Sequence, residues 1–481
     1  MADILAEDGH QVDVIMNDKV KDHVITKHAK TLYYQAPKDV IDYLGEENAM
    51  ISLNQEGMKV FTLMDNLFSY QIEFCTSLFK DKNLMQELQG AKYDLVIADI
   101  LFLCSPILPS YLNVTSIFYQ NYGFLPDSNA LFPTFPSFTC HATGVACVND
   151  DMTFMQRCFN VLFVLVINQL IVPKVSKIRQ KMITESGIEL AESPETLLQD
   201  KLLLLNVDYV LEAPRPTMPH VFTISGLFNK RPSDLPATFE RIIDQAGQHG
   251  VILFSFGTLV PKYEARTAEI FANVFGRLKQ QIIWRYTGDK PKGLQNNTHL
   301  TEWFPQNDLL AHASTRLFIT HCGISSTFES AYNGVPVVAM PLFGDQSTNA
   351  EKLVGRAKMG IKLNYFSITE EELAAGIEEV LFNPVYMENA KKVSRIMSDQ
   401  VAPPVQQFRH LVNFTIKTGD AKHLFHPYAV RMSWFTFHGL DVGLFILSVF
   451  LAIVLMLFLM FRIIIRRCWK IVCIVPKMKK N

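Results

Sequence analysis

Residues 318–346 read FITHCGISSTFESAYNGVPVVAMPLFGDQ, and this stretch decides the fold. It opens on a short apolar run ending at Thr320, the pattern of a buried strand. That strand delivers His321 to its carboxyl edge. Gly323 lets the backbone turn tightly, and Ser325 and Ser326 open a helix that runs through Phe328–Tyr332. The free N–H groups and positive dipole end of such a helix suit a diphosphate. Glu329 lies one turn in, where phosphate would repel it but where a ribose diol can donate two hydroxyl hydrogen bonds to it. A second apolar strand follows at 335–341. Asp345 and Gln346 then close a turn stiffened by Pro341, again on the carboxyl edge, where ligands of open α/β sheets bind.

Working outward, strands are expected at 251–255, 282–286, 299–303 and 317–320, alternating with helices. Short apolar strands in that alternation predict a parallel sheet covered on both faces. Upstream, residues 1–9 read as a helix end closed by Gly9, with strands at 12–16 and 94–98 and an apolar run at 202–211. The proline-rich segments 214–219 and 231–236 mark an interdomain link. The reading is an α/β protein of two domains with a cleft between them.

A run of 20 uncharged residues, 442–461, is long enough to cross a bilayer. Seven of the chain's 45 basic residues fall in 462–481, which holds no acid, so the positive-inside bias places this tail in the cytosol. The body is then lumenal or external. The formal net charge of −2 gives no global reason to expect nucleic-acid binding. MADILAEDGH offers no apolar leader, so a signal peptide is expected upstream of Met1. Residues 159–172 are apolar but too few to span; they read as a core helix, with a helix lying in the bilayer surface as the alternative. Cys140 and Cys147 are close enough to bridge, though spacing does not fix pairing. N-x-S/T acceptors occur at Asn113, Asn296 and Asn413, with Asn113 preceding a strand-like run and expected to be buried.

The 318–346 stretch resembles the signature of the UDP-glycosyltransferases, in particular the membrane-bound UDP-glucuronosyltransferases of animals. The match comprises H-x-G-x-x-S-x-x-E from His321 to Glu329, the gap to Pro336, the P-x-x-x-x-P pair and the closing Asp345–Gln346. It continues in SFGT (255–258), WFPQNDLL (303–310), PRP (214–216) and AKHL (421–424). Cys322 departs from the pattern where glycine is common, and Thr258 where serine is common.

The resemblance implies a GT-B arrangement: two facing Rossmann-like domains and one C-terminal transmembrane helix. Its boundaries here are 1–225 for the acceptor domain and 226–415 for the UDP-sugar domain. A juxtamembrane segment at 416–441, the span at 442–461 and a basic cytosolic tail at 462–481 complete the chain. By the same resemblance Trp303 stacks the uracil, Gln306 contacts the nucleoside and Glu329 holds the ribose. Ser255, Thr258, His321, Gly323 and Ser325 surround the diphosphate, and Asp345 with Gln346 binds the transferred sugar.

The implied reaction is inverting displacement at the anomeric carbon of a UDP-sugar by a small lipophilic acceptor, transferring a hexose or glucuronic acid. The aromatic, proline-broken run FPTFPSF at 132–138 is a candidate apolar acceptor lining. No D-x-D pair occurs in the chain, so no metal site is expected, and the UDP-sugar is a co-substrate rather than a cofactor. Asp99 matches the aspartate that orients a base histidine; that histidine and its strand are expected upstream of Met1, and His10 matches a different, structural histidine. A catalytically weak isoform that partners complete enzymes is the competing reading, and homo- or hetero-oligomerisation stays open. A nicotinamide-dependent oxidoreductase would need G-x-G-x-x-G after a strand, and the chain has none. The K-x-K-x-x pattern of Lys477 and Lys479 resembles an endoplasmic-reticulum retrieval signal, giving a single-pass type I topology with lumenal domains.

Overall fold

Successive residues of the central strands point to opposite faces of a sheet that is covered on both, and this explains how the carboxyl-terminal half is built. The computed structural model describes residues 1–23, 26–37, 59–121, 152–166, 172–190, 193, 197–198, 201–214, 217–229, 232–258, 260–419, 421–424, 432–437 and 439–474. Its strands are β1 (Asp13–Asn17), β2 (Lys30–Tyr34), β3 (Val96–Asp99), β4 (Ser116–Gln120), β5 (Leu202–Leu205), β6 (Val221–Thr223), β7 (Val251–Ser255), β8 (Gln281–Arg285), β9 (Thr298–Thr301), β10 (Thr315–Thr320), β11 (Val337–Ala339) and β12 (Gly360–Lys362). Among the described residues they form a β1–β2 pair, a sheet β3-β4-β5-β6 and a sheet β12-β11-β10-β7-β8-β9. All pairings are parallel.

In the six-stranded sheet neighbouring residues point to opposite faces, as strand geometry dictates. Val251 and Leu253 of β7 join one core with Phe318, Val337 and Ala339; Ile252 and Phe254 join the other with Leu317, Ile319 and Val338. The second core is aromatic: Phe254 touches Phe256, Phe271, Phe275 and Trp284, and buried Trp284 donates its indole N–H to Tyr263 at 2.6 Å. Both faces are therefore dry, which is why these strands read as continuous apolar runs. Read from β9 to β12, the order follows the doubly wound 3-2-1-4-5-6 plan, with its reversal between β7 and β10.

The expected strands lie within a residue or two of the observed ones, and β7 coincides. β2, β6 and β12 were not expected: β6 and β12 have three residues each, and β2 exposes Lys30 and half-buries Thr31. The expected core helix is corrected. A helix runs Phe154–Val166, but Phe154, Met155, Phe159 and Leu162 share an exposed face while Asn160 is buried. At 3.6 residues per turn these four apolar residues fall on one side, and it is the outer side, as the surface-helix alternative requires.

Asn113 is also corrected: it is exposed, at φ +52° in the C-cap of the Ile107–Leu112 helix. Cys75 and Cys104 form a disulfide with Cα atoms 5.5 Å apart, a pairing the spacing did not indicate. Cys140, Cys147, the 132–138 run and the KMKKN tail lie outside the described residues. The chain divides into two units, Met1–Leu424 and Phe425–Asn481. The second contains the helix Leu440–Ile474, of which Leu440–Lys470, with mean hydropathy 3.1, is long and apolar enough to cross a membrane.

Candidate nucleotide-sugar site

The strand-order reversal sets the site. Thr320 at the end of β10 pairs with Ser255 at the end of β7, so the loops leaving these two strands lie side by side. His321 leaves β10 and its ring lies against two glycines. A β-carbon on Gly257 would fall 2.5 Å from its Nε2, and one on Gly323 would fall 2.6 Å from it. Gly257, at φ +77°, also donates its N–H to Ser255 Oγ at 3.1 Å, so that hydroxyl, 1% exposed, holds the turn. Thr258 beyond it is exposed.

Burial pushes His321 down to about 4, with the Ser255 main chain opposing and the Arg285 charge assisting. The ring is therefore a neutral imidazole at pH 7. Its Nδ1 is buried and meets no hydrogen-bond partner among the described residues. Gly323 then caps the helix Ile324–Asn333, and no side chain closes its first turn. Uncapped N–H groups, exposed Ser325 and a neutral imidazole thus share one edge.

Two hydrogen-bonded clusters flank this edge. On one side Gln306 Nε2 donates to Ser326 Oγ at 3.0 Å and to Glu329 Oε2 at 2.5 Å. Burial raises the Glu329 carboxyl, against the Gln306 bond and with Asp308 nearby. Trp303, three residues before Gln306, is 64% exposed, a ring face open for stacking.

On the other side Asn349 Nδ2 donates to the Cys322 carbonyl at 3.1 Å and to Asp345 Oδ2 at 2.7 Å, tying the β10 loop to the β11 loop. Burial raises Asp345, while the Asn349 bond and the Lys352 charge lower it. Gln346 is buried and its Oε1 accepts from the Leu342 and Phe343 N–H groups at 2.8 and 3.1 Å. Its oxygen therefore braces the turn, and its amide NH2 is the group it can turn to a sugar.

Asp99 stands apart from these clusters, on the other sheet at the end of β3. Its Oδ1 accepts from Leu101 N–H at 2.9 Å and its carbonyl from Ser105 Oγ; burial raises its carboxyl, the Leu101 bond opposing. Sequence reading missed Arg285 and Asn349. Arg285 ends β8, beside β7, and its charge reaches His321; the basic residue at the carboxyl end of QIIWR was the available signal. Asn349 carried no such signal, since its role comes from two loops meeting.

A doubly wound sheet with an uncapped helix and a glycine-lined imidazole at its reversal defines an open α/β protein whose candidate site lies at the carboxyl ends of its strands. Solved structures resolve the class further. The glycosyltransferase of kitacinnamycin matches at TM-score 0.60 and 16% identity over 86% of this chain and 95% of its own. Os79 from O. sativa, solved in complex with UDP, matches at TM-score 0.54 and 18% identity over 86% and 95%. The fold is that of a GT-B glycosyltransferase.

The family described as "UDP-glucoronosyl and UDP-glucosyl transferase" matches residues 3–475, and the chain belongs to it. UDP-glucuronosyltransferase 1A6 of Mus musculus is 35% identical over 80% of this chain and 72% of its own length. UDP-glucuronosyltransferase 1A6 of Homo sapiens is 32% identical over 95% and 87%.

Proposed function

We propose that this chain binds a UDP-sugar on the carboxyl edge of its six-stranded sheet for transfer of a hexose or glucuronic acid to a small lipophilic acceptor, with inversion and without a metal. The observation that carries the reading is His321, packed between Gly257 and Gly323 at the strand-order reversal beside an uncapped helix start. Backbone N–H groups, the His321 ring and Arg285 would take the charge that develops on the departing diphosphate, the largest demand of the reaction. Glu329, oriented by Gln306, would hold the ribose diol, and Trp303 the uracil. Asp345 and the Gln346 amide would hold the sugar.

Asp99, with its carboxyl raised by burial, would act through an acceptor-side base as an orienting group. The relatives named as UDP-glucuronosyltransferases support glucuronic acid as the transferred sugar, and the helix Leu440–Lys470 supports a membrane-anchored enzyme. The Cys75–Cys104 bridge suits an oxidising lumen. The tail lysines would return the protein to the endoplasmic reticulum, and deleting residues 477–481 should release it to the cell surface.

The test is a calorimetric titration of the purified full chain with UDP. Glu329→Ala and His321→Ala should each weaken binding by about tenfold or more, the loss of about one good hydrogen bond to a charged group. Unchanged heats for both variants would refute the reading.

A further inference from the structure

The turn after β5 reaches out of the four-stranded sheet and into the core of the other half. Asp208 shapes it: its carbonyl accepts from the Leu211 and Glu212 N–H groups at 3.0 and 2.8 Å, and its Oδ1 from Val210 N–H at 2.9 Å. Leu211, 1% exposed, packs in the same core as Ala350, Leu353 and Phe318, with Val210 alongside. Next to it the Glu212 carboxylate forms an ion pair with the Lys352 ammonium, and both side chains are buried.

Lys352 begins a single wide turn, Lys352–Arg356, in which Ala357 N–H bonds the Lys352 carbonyl five residues back at 2.9 Å. Such wide turns are rare and recur at functional sites. Here the turn places Arg356 against the same segment, its Nη2 donating to the Tyr209 carbonyl at 3.0 Å. The wide turn continues directly from the helix Gln346–Glu351, whose N-cap is Asp345. Polar and apolar contacts therefore converge from residues 209–212 onto the element that starts at the sugar-facing loop.

We propose that the buried Glu212–Lys352 pair is a positioning strut for the donor's sugar: by fixing Lys352 to the turn beyond β5 it sets the helix that begins at Asp345, so the hold on the sugar, unlike the hold on UDP, depends on a residue of the other sheet's half. This rests on the reading of Asp345 as a sugar contact. Neither Glu212 nor Lys352 touches the nucleotide in that reading, since the uracil, ribose and diphosphate contacts come from Arg285 at the end of β8 and from the loops and helix start after β7, β9 and β10. Lys352 also places a positive charge near Asp345, which favours its ionised, acceptor form.

The experiment uses the full chain in detergent, titrated with UDP, UDP-glucose and UDP-glucuronic acid. Lys352→Met and Glu212→Gln should lower the ratio of UDP-sugar to UDP affinity about tenfold while UDP affinity stays within about twofold. Lys352→Arg should keep the ratio, and the exchanged pair Glu212→Lys with Lys352→Glu should recover it to within about threefold. A ratio unchanged in both single variants, an equal loss of UDP and UDP-sugar binding, or no recovery in the exchanged pair would each overturn the strut.

Amide hydrogen exchange separates this from the functional reading. If the wild-type chain bound no UDP, that reading would fall. The strut would still predict faster exchange across Gln346–Glu351 in Lys352→Met than in Lys352→Arg, and equal rates would overturn it.

Discussion

Gly257 and His321 are in contact across the strand-order reversal: the glycine has no side chain because the imidazole occupies that space, and at φ +77° its backbone disfavours one. Gly257→Ala should therefore displace the ring and weaken UDP binding by about tenfold or more. Gly344→Ala is the control. It has φ +64° with nothing within 4 Å of the place a β-carbon would take, so the substitution should cost only backbone strain, about 1–2 kcal/mol. Thermal unfolding and UDP titration of the two variants, side by side, check this; equal UDP affinities would show that the ring does not need that space.

Cys322 sits at φ +62°, fully buried, with its N–H donated to Thr320 Oγ1 at 3.1 Å. That conformation explains why the family resemblance places glycine here. Cys322→Gly removes strain of about 1–2 kcal/mol and loses a small buried side chain of about 1 kcal/mol, so stability should change by less than about 1 kcal/mol. Cys322→Val puts a β-branched residue in the same conformation and should destabilise by about 2 kcal/mol or more. Denaturation midpoints of the pair decide it, and a Val variant as stable as the Gly variant would contradict the strain.

How much of this was legible follows from where the information lies. β7 and β10 are continuous apolar runs because both sheet faces are dry, and hydropathy alone locates them. His321, Gly323 and Glu329 lie close together in sequence, so their common edge could be read from spacing. That the Gln346 oxygen serves main-chain N–H groups a few residues back was not legible, because it is a detail of loop geometry. The helix at 154–166 was misjudged because composition reports apolarity but not which side faces out. Cys75–Cys104 and Glu212–Lys352 join residues 29 and 140 positions apart, and no local pattern encodes such pairs.

His321 and the site's carboxylates should leave opposite pH signatures on stability. The imidazole falls from 6.5 to about 4 on burial, so the unfolded chain binds more protons between those values. The stability it contributes is complete above about 6.5 and is lost as pH falls toward 4. His321→Asn should therefore lose its deficit relative to wild type across that window. Glu329 is raised above 4.5 by burial, so its ionised form is the unfavourable one in the fold. Glu329→Gln should gain on wild type as pH rises above 4.5. Melting temperatures of the unliganded proteins from pH 4 to 7 check both signs, and parallel curves for wild type and variant would refute either one.

Arg285 ends β8 on the same carboxyl edge, and it is half-buried, its Nε donating to the Glu302 carbonyl at 3.0 Å. Because His321 is neutral at pH 7, the site's positive charge near the diphosphate has to come from a residue such as this one. Arg285→Met should weaken UDP binding by about tenfold. Arg285→Lys keeps a charge but loses the planar fork, and should fall between Met and wild type. Uridine, which has no phosphate, separates charge from packing: its affinity should be the same in all three proteins. A loss of uridine binding equal to the loss of UDP binding would assign Arg285 to the shape of the pocket instead of to the phosphates.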